Sequence, residues 1–401
     1  MRAGSRSAVA RDLAFIGARV VDGTGSPPRE GVTVVLRNGL ITSVGESDLP
    51  ADCHVIDLEG KTLLPGLIDA HAHLTSLGKL PGELRAYGLV KAMSDLLEAG
   101  ITTVRDLGAC GDSVWLLRDA ALRGLCKAPR LVLCGQVISA TCAGAKAFPG
   151  MYREANGVDE IRATVREQAS AGADVIKVMS TGALTVAGED IGPPQLRRDE
   201  MAALVEEAHR LGLPVASHAE GADGIRLSVE AGADTIEHGE EGYLVPEALA
   251  AMAESGAIFA PTLSVFDHVA ESDAYPSWMR ERARRLGESA RLTVQAARKD
   301  GVAIAMGADA PPQGANAQEL LRLTDAGLTG IEAIAAATGI SARACRVDGL
   351  VGTVEPGKKA DLIVVDGDPV SDMAILTDPQ CMWLVLQDGV ATAGYGATHV
   401  P

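Results

Sequence analysis

The chain has 401 residues, of which 47% are hydrophobic and only 3% aromatic. That length suffices for one large core beside a smaller one, and the core must be built from Ala, Val, Leu and Ile, which suits alternating strands and helices. A formal charge of -17 repels phosphate backbones and anionic lipid headgroups, excluding nucleic acid and membrane surfaces as main partners and leaving small molecules.

The opening stretch, "MRAGSRSAVARDLAFIG", is basic but lacks the apolar segment of a secretory signal, and no apolar run approaches a membrane span. Seven cysteines, an odd number without C-x-x-C spacing, fit a reducing compartment, so the cytoplasm is the expected location. From Leu13 to Val55 the chain reads as short strands with turns, "LAFIGARVVDGTG" and "GVTVVLRNGLITSVG", in which "NG" supplies a tight turn. The same texture returns in "GKKADLIVVDGDP" and "MWLVLQDGVATA". The two ends are therefore expected to form one small β-sandwich-like domain, residues 11–62 and 344–401, with residues 63–343 inserted between them.

The middle alternates apolar strand-like runs with amphipathic helical patterns. The strand candidates are "GLIDAHAHL", "TTVRDLG", "RLVLCGQVI", "DVIKVMSTG", "PVASHAEG", "TIEHG", "IFAPTL" and "AIAMGADAP". Patterns such as "DEMAALVEEAHRLG" and "PEALAAMAESG", apolar at i, i+3 and i+4 and closed by Gly, read as the helices between them. This is an α/β pattern; eight strands with polar residues at so many C-terminal ends predict a (β/α)₈ TIM-like barrel over a doubly wound sheet.

Side chains alternate faces along a strand, so His71 and His73 in "DAHAHL" point the same way, toward the mouth where this fold builds its active sites. Other strand ends carry further candidate ligands: His218 in "SHAEG", His238 in "TIEHG" and Asp309 in "MGADAP". His209 falls within a helical pattern, and His54 and His399 fall outside the barrel, so structural roles are expected for these three. Lys177 lies between Ile176 and Val178 in mid-strand, where an unpaired ammonium is strongly disfavoured. It could be salt-bridged to a barrel carboxylate, serve as a Schiff-base amine, or react with CO₂ to give a carbamate.

Taken together, "PGLIDAHAHL", "VIKVMSTGAL", "SHAEG", "TIEHG" and "GAD", with the terminal "ARVVDGTG" and "GTVEPGKKADLIVVDGDP", resemble the amidohydrolase superfamily over nearly the whole chain. The closer resemblance is to the branch of metal-dependent Xaa-Pro dipeptidases and imidazolonepropionase-like proteins. It implies two divalent metal ions, zinc by family habit, one held by His71, His73 and Asp309 and the other by His218 and His238. Lys177, carboxylated by CO₂, would bridge the pair, and Asp309 would shuttle the proton from the attacking hydroxide to the leaving nitrogen. Family habit also implies a homo-oligomer.

The resemblance departs at the substrate. Peptidase members often read "TGGHG" after the third strand, whereas this chain reads "TCAGAKAFPG", with Gly144 in place of the His and Lys146 as a substitute contact for an anionic group. Many relatives have Tyr where this chain has Glu220, which would bind an N–H or ammonium, or else pair with Lys146 or Arg105. Tyr243 and His268 follow the sixth and seventh strands and are further candidate substrate contacts. The expected reaction is cleavage of an amide C–N bond in a dipeptide or N-acyl amino acid. The alternatives are hydrolysis of ureas, carbamates or cyclic amides, including a mononuclear form with uncarboxylated Lys177, and a non-catalytic assembly role on the same fold.

Overall fold

The computed structural model describes residues 12–45, 49–75, 80, 84–309 and 312–400; the basic opening stretch, with the boundary at residue 11, lies outside them. The chain ends share an eight-stranded sheet. In it, Lys61–Pro65 pairs antiparallel with Leu362–Asp366, in a register running from Leu362 opposite Pro65 to Asp366 opposite Lys61. Its tight turns fall where the sequence places them: Asn38 and Gly39 have φ of 52° and 76°, Asp388 and Gly389 φ of 50° and 76°, the left-handed pair that a two-residue hairpin requires. Phe15, Leu36, Ile41, Leu58 and Leu384 form part of this sheet's own buried cluster.

The central region is built on parallel strands: β1 (Leu67–Ala72), β2 (Ile101–Asp106), β3 (Arg130–Leu133), β4 (Ile176–Met179), β5 (Val215–Ala219), β6 (Thr235–His238), β7 (Ile258–Ala260) and β8 (Ala303–Ile304). β1 to β3 form one parallel sheet and β4 to β8 lie in another. Two seams join the sheets. Asp174 N–H donates to the Leu133 carbonyl at 2.8 Å beside β3, while Ala70 N–H donates to Met306 O at 2.9 Å and Asp309 N–H to His71 O at 2.7 Å beside β1. The "AIAMGADAP" run is regular strand for only two residues, because Gly307 packs against His71 and the chain then leaves the sheet in short steps.

The helices form where the apolar periodicity predicts them. Arg198–Arg210 buries Met201, Leu204, Val205 and Ala208 on one face, and Glu200 caps its first turn by accepting from Arg197 N–H at 2.8 Å. Pro246–Ser255 begins at a Pro and ends at Gly256, whose φ of 78° allows the left-handed C-terminal turn. Among the described residues no helix is long and apolar enough to cross a membrane. All seven cysteines are free.

Candidate active site

Strand alternation brings the imidazoles together at the C-terminal ends of the parallel strands. The ring centroids of His71 and His73 are 5.4 Å apart, those of His71 and His238 4.8 Å, and those of His218 and His238 4.5 Å. Asp309, which follows β8, is 3.2 Å from His73 Nε2 and 3.6 Å from His71 Nε2. Two of the contributing residues, His238 and Asp309, have φ of 72° and 62°, and Thr262 behind His238 has φ of 50°. Non-glycine residues in this region are strained, and here the strain turns side chains off the strand ends into one space.

Each imidazole is oriented by its other nitrogen. His71 Nδ1 donates to Glu237 Oε2 at 2.7 Å, and His73 Nδ1 donates to the Gly108 carbonyl at 3.0 Å. His238 Nδ1 bonds Thr262 Oγ1 at 2.7 Å, and His218 Nε2 donates to the Gly182 carbonyl at 3.2 Å. The acceptors behind them fix the tautomers, leaving lone pairs on Nε2 of His71 and His73 and on Nδ1 of His218. Converging acceptors of this kind repel unless a proton or a metal ion lies among them. His71 Nε2 is buried without a hydrogen-bond partner, as is Lys177 Nζ. His71, His73 and Asp309 form a group whose donor atoms lie within 4.8 Å of one another and could hold a metal ion.

The electrostatics fit a cation site. Burial pushes His71 down to about 4, with the Lys177 charge adding to it and Glu237 opposing. Burial and then the neighbouring His218 push His238 further down. Burial also lowers Lys177, against the pull of Glu237 and Asp309, which favours the free amine. Burial alone would raise Asp309, but the His73 hydrogen bond and the nearby imidazoles outweigh it and keep the carboxyl well below its usual range. The free lone pairs of His71 and His238, an ionised carboxylate and an unpaired amine match the donor chemistry of a divalent metal centre, while at His73 burial is outweighed by Asp309, which raises the imidazole.

Behind the site lies a frame that sequence reading passed over. Arg105 on β2 donates from Nη2 to Glu237 Oε1 at 2.9 Å, from Nε to Ala70 O at 2.5 Å and from Nη1 to Ala344 O at 3.0 Å. Glu237 also accepts from Thr235 Oγ1. Burial opposes its charge, yet Arg105 and His71 hold Glu237 down at about 2. Asp69 accepts from His71 N–H at 2.9 Å, Ala308 N–H at 3.2 Å and Asn316 Nδ2 at 2.6 Å, locking β1 to the segment that carries Asp309. The signal was in the sequence: Asp69, Arg105 and Glu237 are charged residues inside apolar strand runs, the same oddity as Lys177.

The imidazoles open into a cavity of about 1000 Å³, lined by His73, Lys177, His218, His238 and Asp309 at its base and by Phe148, Met151, Tyr152, Val265, Phe266 and Tyr275 above. Glu220 lines it too, as does Glu240, which sequence reading missed. Lys146, Gly144, Tyr243 and His268 do not line it. Lys146 is exposed on a single helical turn, Gly144–Ala147. The Gly144 N–H donates to Glu189 Oε1 at 2.8 Å, and a Cβ there would come within 3.1 to 3.2 Å of the Tyr152 ring. Tyr243 donates its N–H to Thr293 Oγ1, and the His268 ring packs edge-on to Tyr275 at 5.8 Å. Arg105 is taken by Glu237, so it does not pair with Glu220. His209 bonds Asp234 at 2.8 Å, and His54 bonds the His399 carbonyl at 3.0 Å, all away from the cavity.

Donors that could hold a metal ion gather at the ends of parallel strands, as in hydrolases that act on carbon–nitrogen bonds. The chain belongs to the amidohydrolase family, which residues 62–391 match. Ochratoxinase of Aspergillus niger is 28% identical over 94% of this chain and 86% of its own length. Imidazolonepropionase of Maricaulis maris is 28% identical over 84% of this chain and 87% of its own. The crystal structure of a Xaa-Pro dipeptidase with methionine bound in its active site has a TM-score of 0.86 at 30% identity, covering 95% of this chain and 99% of that one.

Proposed function

We propose that the protein hydrolyses an amide C–N bond in a dipeptide or N-acyl amino acid, using two divalent metal ions held at the strand ends. The observation that carries this reading is the convergence of His71, His73 and Asp309 with lone pairs inward, beside an unpaired buried Lys177. His71, His73 and Asp309 would hold one ion and His218 and His238 the other. Lys177 would bridge them as a carbamate, its free amine having added to CO₂ with loss of a proton. Two such ions, zinc by donor type, would lower the pKa of a bound water and polarise a carbonyl.

This chain's own groups do the rest. Asp309 takes the proton of the attacking water on a carboxylate oxygen and returns it to the departing nitrogen, as a general base that becomes a general acid. His71 and His238 keep their orientation through Glu237 and Thr262. The apolar wall of Phe148, Val265 and Phe266 excludes water from the scissile bond and takes up the substrate's bulk. We read the terminal sheet as a small β-sandwich formed by residues 11–62 and 344–401 around a (β/α)₈ barrel of residues 63–343. The strand Lys61–Pro65 crosses the first boundary. A cytoplasmic homo-oligomer is the setting that the free cysteines and the family resemblance support.

The mononuclear alternative, acting on cyclic amides or related substrates, draws on one observation: His71, His73 and Asp309 are the converging ligand group of three that the described His, Cys, Asp and Glu residues form. Metal analysis separates the readings at two equivalents or one per chain. The activity test is a release assay on zinc-reconstituted protein, with dipeptides and N-acyl amino acids in one arm and ureas, carbamates and cyclic amides in the other. His71→Ala is the control. Turnover in the first arm that His71→Ala abolishes is the expected result; turnover only in the second refutes the substrate class.

A further inference from the structure

Glu220 and Glu240 form the feature of the cavity that hydrolysis does not use. Glu220 follows β5 two residues after His218, and Glu240 follows β6 two residues after His238. Glu241 N–H donates to the Glu220 carbonyl at 3.0 Å, so the two segments run side by side. Glu240 is 0% exposed, lines the cavity, and has no hydrogen-bond partner on either carboxylate oxygen. Glu220 is 3% exposed; its Oε1 accepts from Leu184 N–H at 2.8 Å and lies 3.4 Å from His218 Nε2, while its Oε2 has no partner. Among the described residues, no Lys or Arg forms an ion pair with either one.

A buried acid stays ionised only when a partner offsets its desolvation, and otherwise keeps its proton. The fold supplies donors generously elsewhere in the same region, as the Arg105–Glu237 pair shows, but withholds them from these three buried oxygens of two residues that line the cavity. The cavity is also lined by apolar side chains, Val265, Phe266, Val269 and Met279, which suit a hydrocarbon stem, and of its cationic lining residues Arg85 and Lys177 neither forms an ion pair with either acid.

We infer that Glu220 and Glu240 form a cation-recognition subsite, and that the preferred substrate is an amide bearing an ammonium or guanidinium group on an apolar stem. This rests on the hydrolase reading and specifies its substrate. The cation donates to Glu220 Oε2 and to the Glu240 carboxylate, while its stem lies along the apolar wall. Recognition by buried acceptors is steeply selective, since a neutral isostere leaves them unpaired.

The test compares Gly-Lys and Gly-Arg with Gly-norleucine, the neutral isostere, on zinc-loaded enzyme, and in parallel measures hexylammonium and hexan-1-ol binding to metal-free enzyme by calorimetry. The expected results are kcat/KM at least thirtyfold higher for the cationic dipeptides and saturable binding of hexylammonium but not hexanol. In Glu240→Gln and Glu220→Gln, the Lys to norleucine ratio should fall at least tenfold, with hexylammonium binding weakened in step. Equal kcat/KM for Lys and norleucine, or hexylammonium binding unaltered in both folded variants, overturns the inference. If neither variant folds, the wild-type selectivity and binding decide it. If no dipeptide is turned over, the hydrolase reading of the substrate fails and the binding arm still reports on the subsite.

Discussion

Glu237→Ala tests the frame behind the site. The substitution strips a carboxylate that is wholly buried and that accepts from His71 Nδ1 at 2.7 Å and Arg105 Nη2 at 2.9 Å. The Arg105 guanidinium, whose side chain is 1% exposed, is then a buried charge without its counter-ion. Breaking a buried pair from one side costs about 3 to 5 kcal/mol, because the surviving ion keeps its desolvation penalty. His71 also loses the acceptor that fixes its tautomer, and loss of such an outer partner weakens metal binding by about 10- to 100-fold. Urea denaturation at pH 7.5 reads the first effect, and competitive zinc titration reads the second.

The double variant Arg105→Met with Glu237→Ala removes the stranded charge, so its loss should fall short of the sum of the single losses by about 2 kcal/mol. The pH dependence is also defined. Glu237 is held at about 2 in the fold against an ordinary value of 4.5, so its contribution is complete above 4.5 and is lost as pH falls through 2. The deficit of Glu237→Ala is therefore flat between pH 6 and 8. A loss under 1 kcal/mol together with unchanged zinc affinity would refute the assignment of Glu237 as the positioning group of this site.

Three further outcomes are expected. Lys177→Ala loses most activity and one metal equivalent, and added bicarbonate assists reconstitution of the wild type; an active alanine variant with two metals rules out the carbamate. Gly307→Ala places a Cβ 2.7 Å from His71 Cβ, so it should lower both zinc content and melting temperature, and full zinc occupancy would contradict that packing. Burial pushes Glu319 up to about 8 despite the N–H donors of Leu263 and Ser264, so the folded chain keeps a proton that the unfolded chain sheds above 4.5. Wild-type stability should then fall between pH 5.5 and 7.5 by about 1.4 kcal/mol per unit more than that of Glu319→Gln, and equal slopes in urea titrations would dismiss the shift.

What the sequence made legible follows from what strand geometry fixes. A period of two puts His71 and His73 on one face without further information, and the runs bearing Lys177, His218 and His238 end where a barrel mouth would be. Texture suggests that the two chain ends belong together, but it names no partner strand, and the "KTLLP" strand that makes the pairing is not among the runs it picks out. Residues beyond the strand ends were harder. Lys146 lies on a helical turn that aims it outward, and Tyr243 lies on the 3₁₀ turn Gly242–Leu244, so no period ties either one to the cavity. Glu240 was overlooked because its direction depends on His238 and Gly239, with φ of 72° and 63°, and a reversal of backbone handedness leaves no mark on hydrophobic periodicity.

The antiparallel pairing of Lys61–Pro65 with Leu362–Asp366 has a consequence for biosynthesis. A ribosome makes the first of these strands about 300 residues before the second, a separation spanned by the whole catalytic region. Until the later strand emerges, the nascent chain carries an open edge of backbone donors and acceptors in a Leu-rich segment, the kind of edge that templates association with other chains. Premature termination anywhere before Leu362 should thus yield aggregates rather than a small active fragment. Joining an early and a late segment in one sheet makes synthesis through Leu362–Asp366 the step that closes this edge.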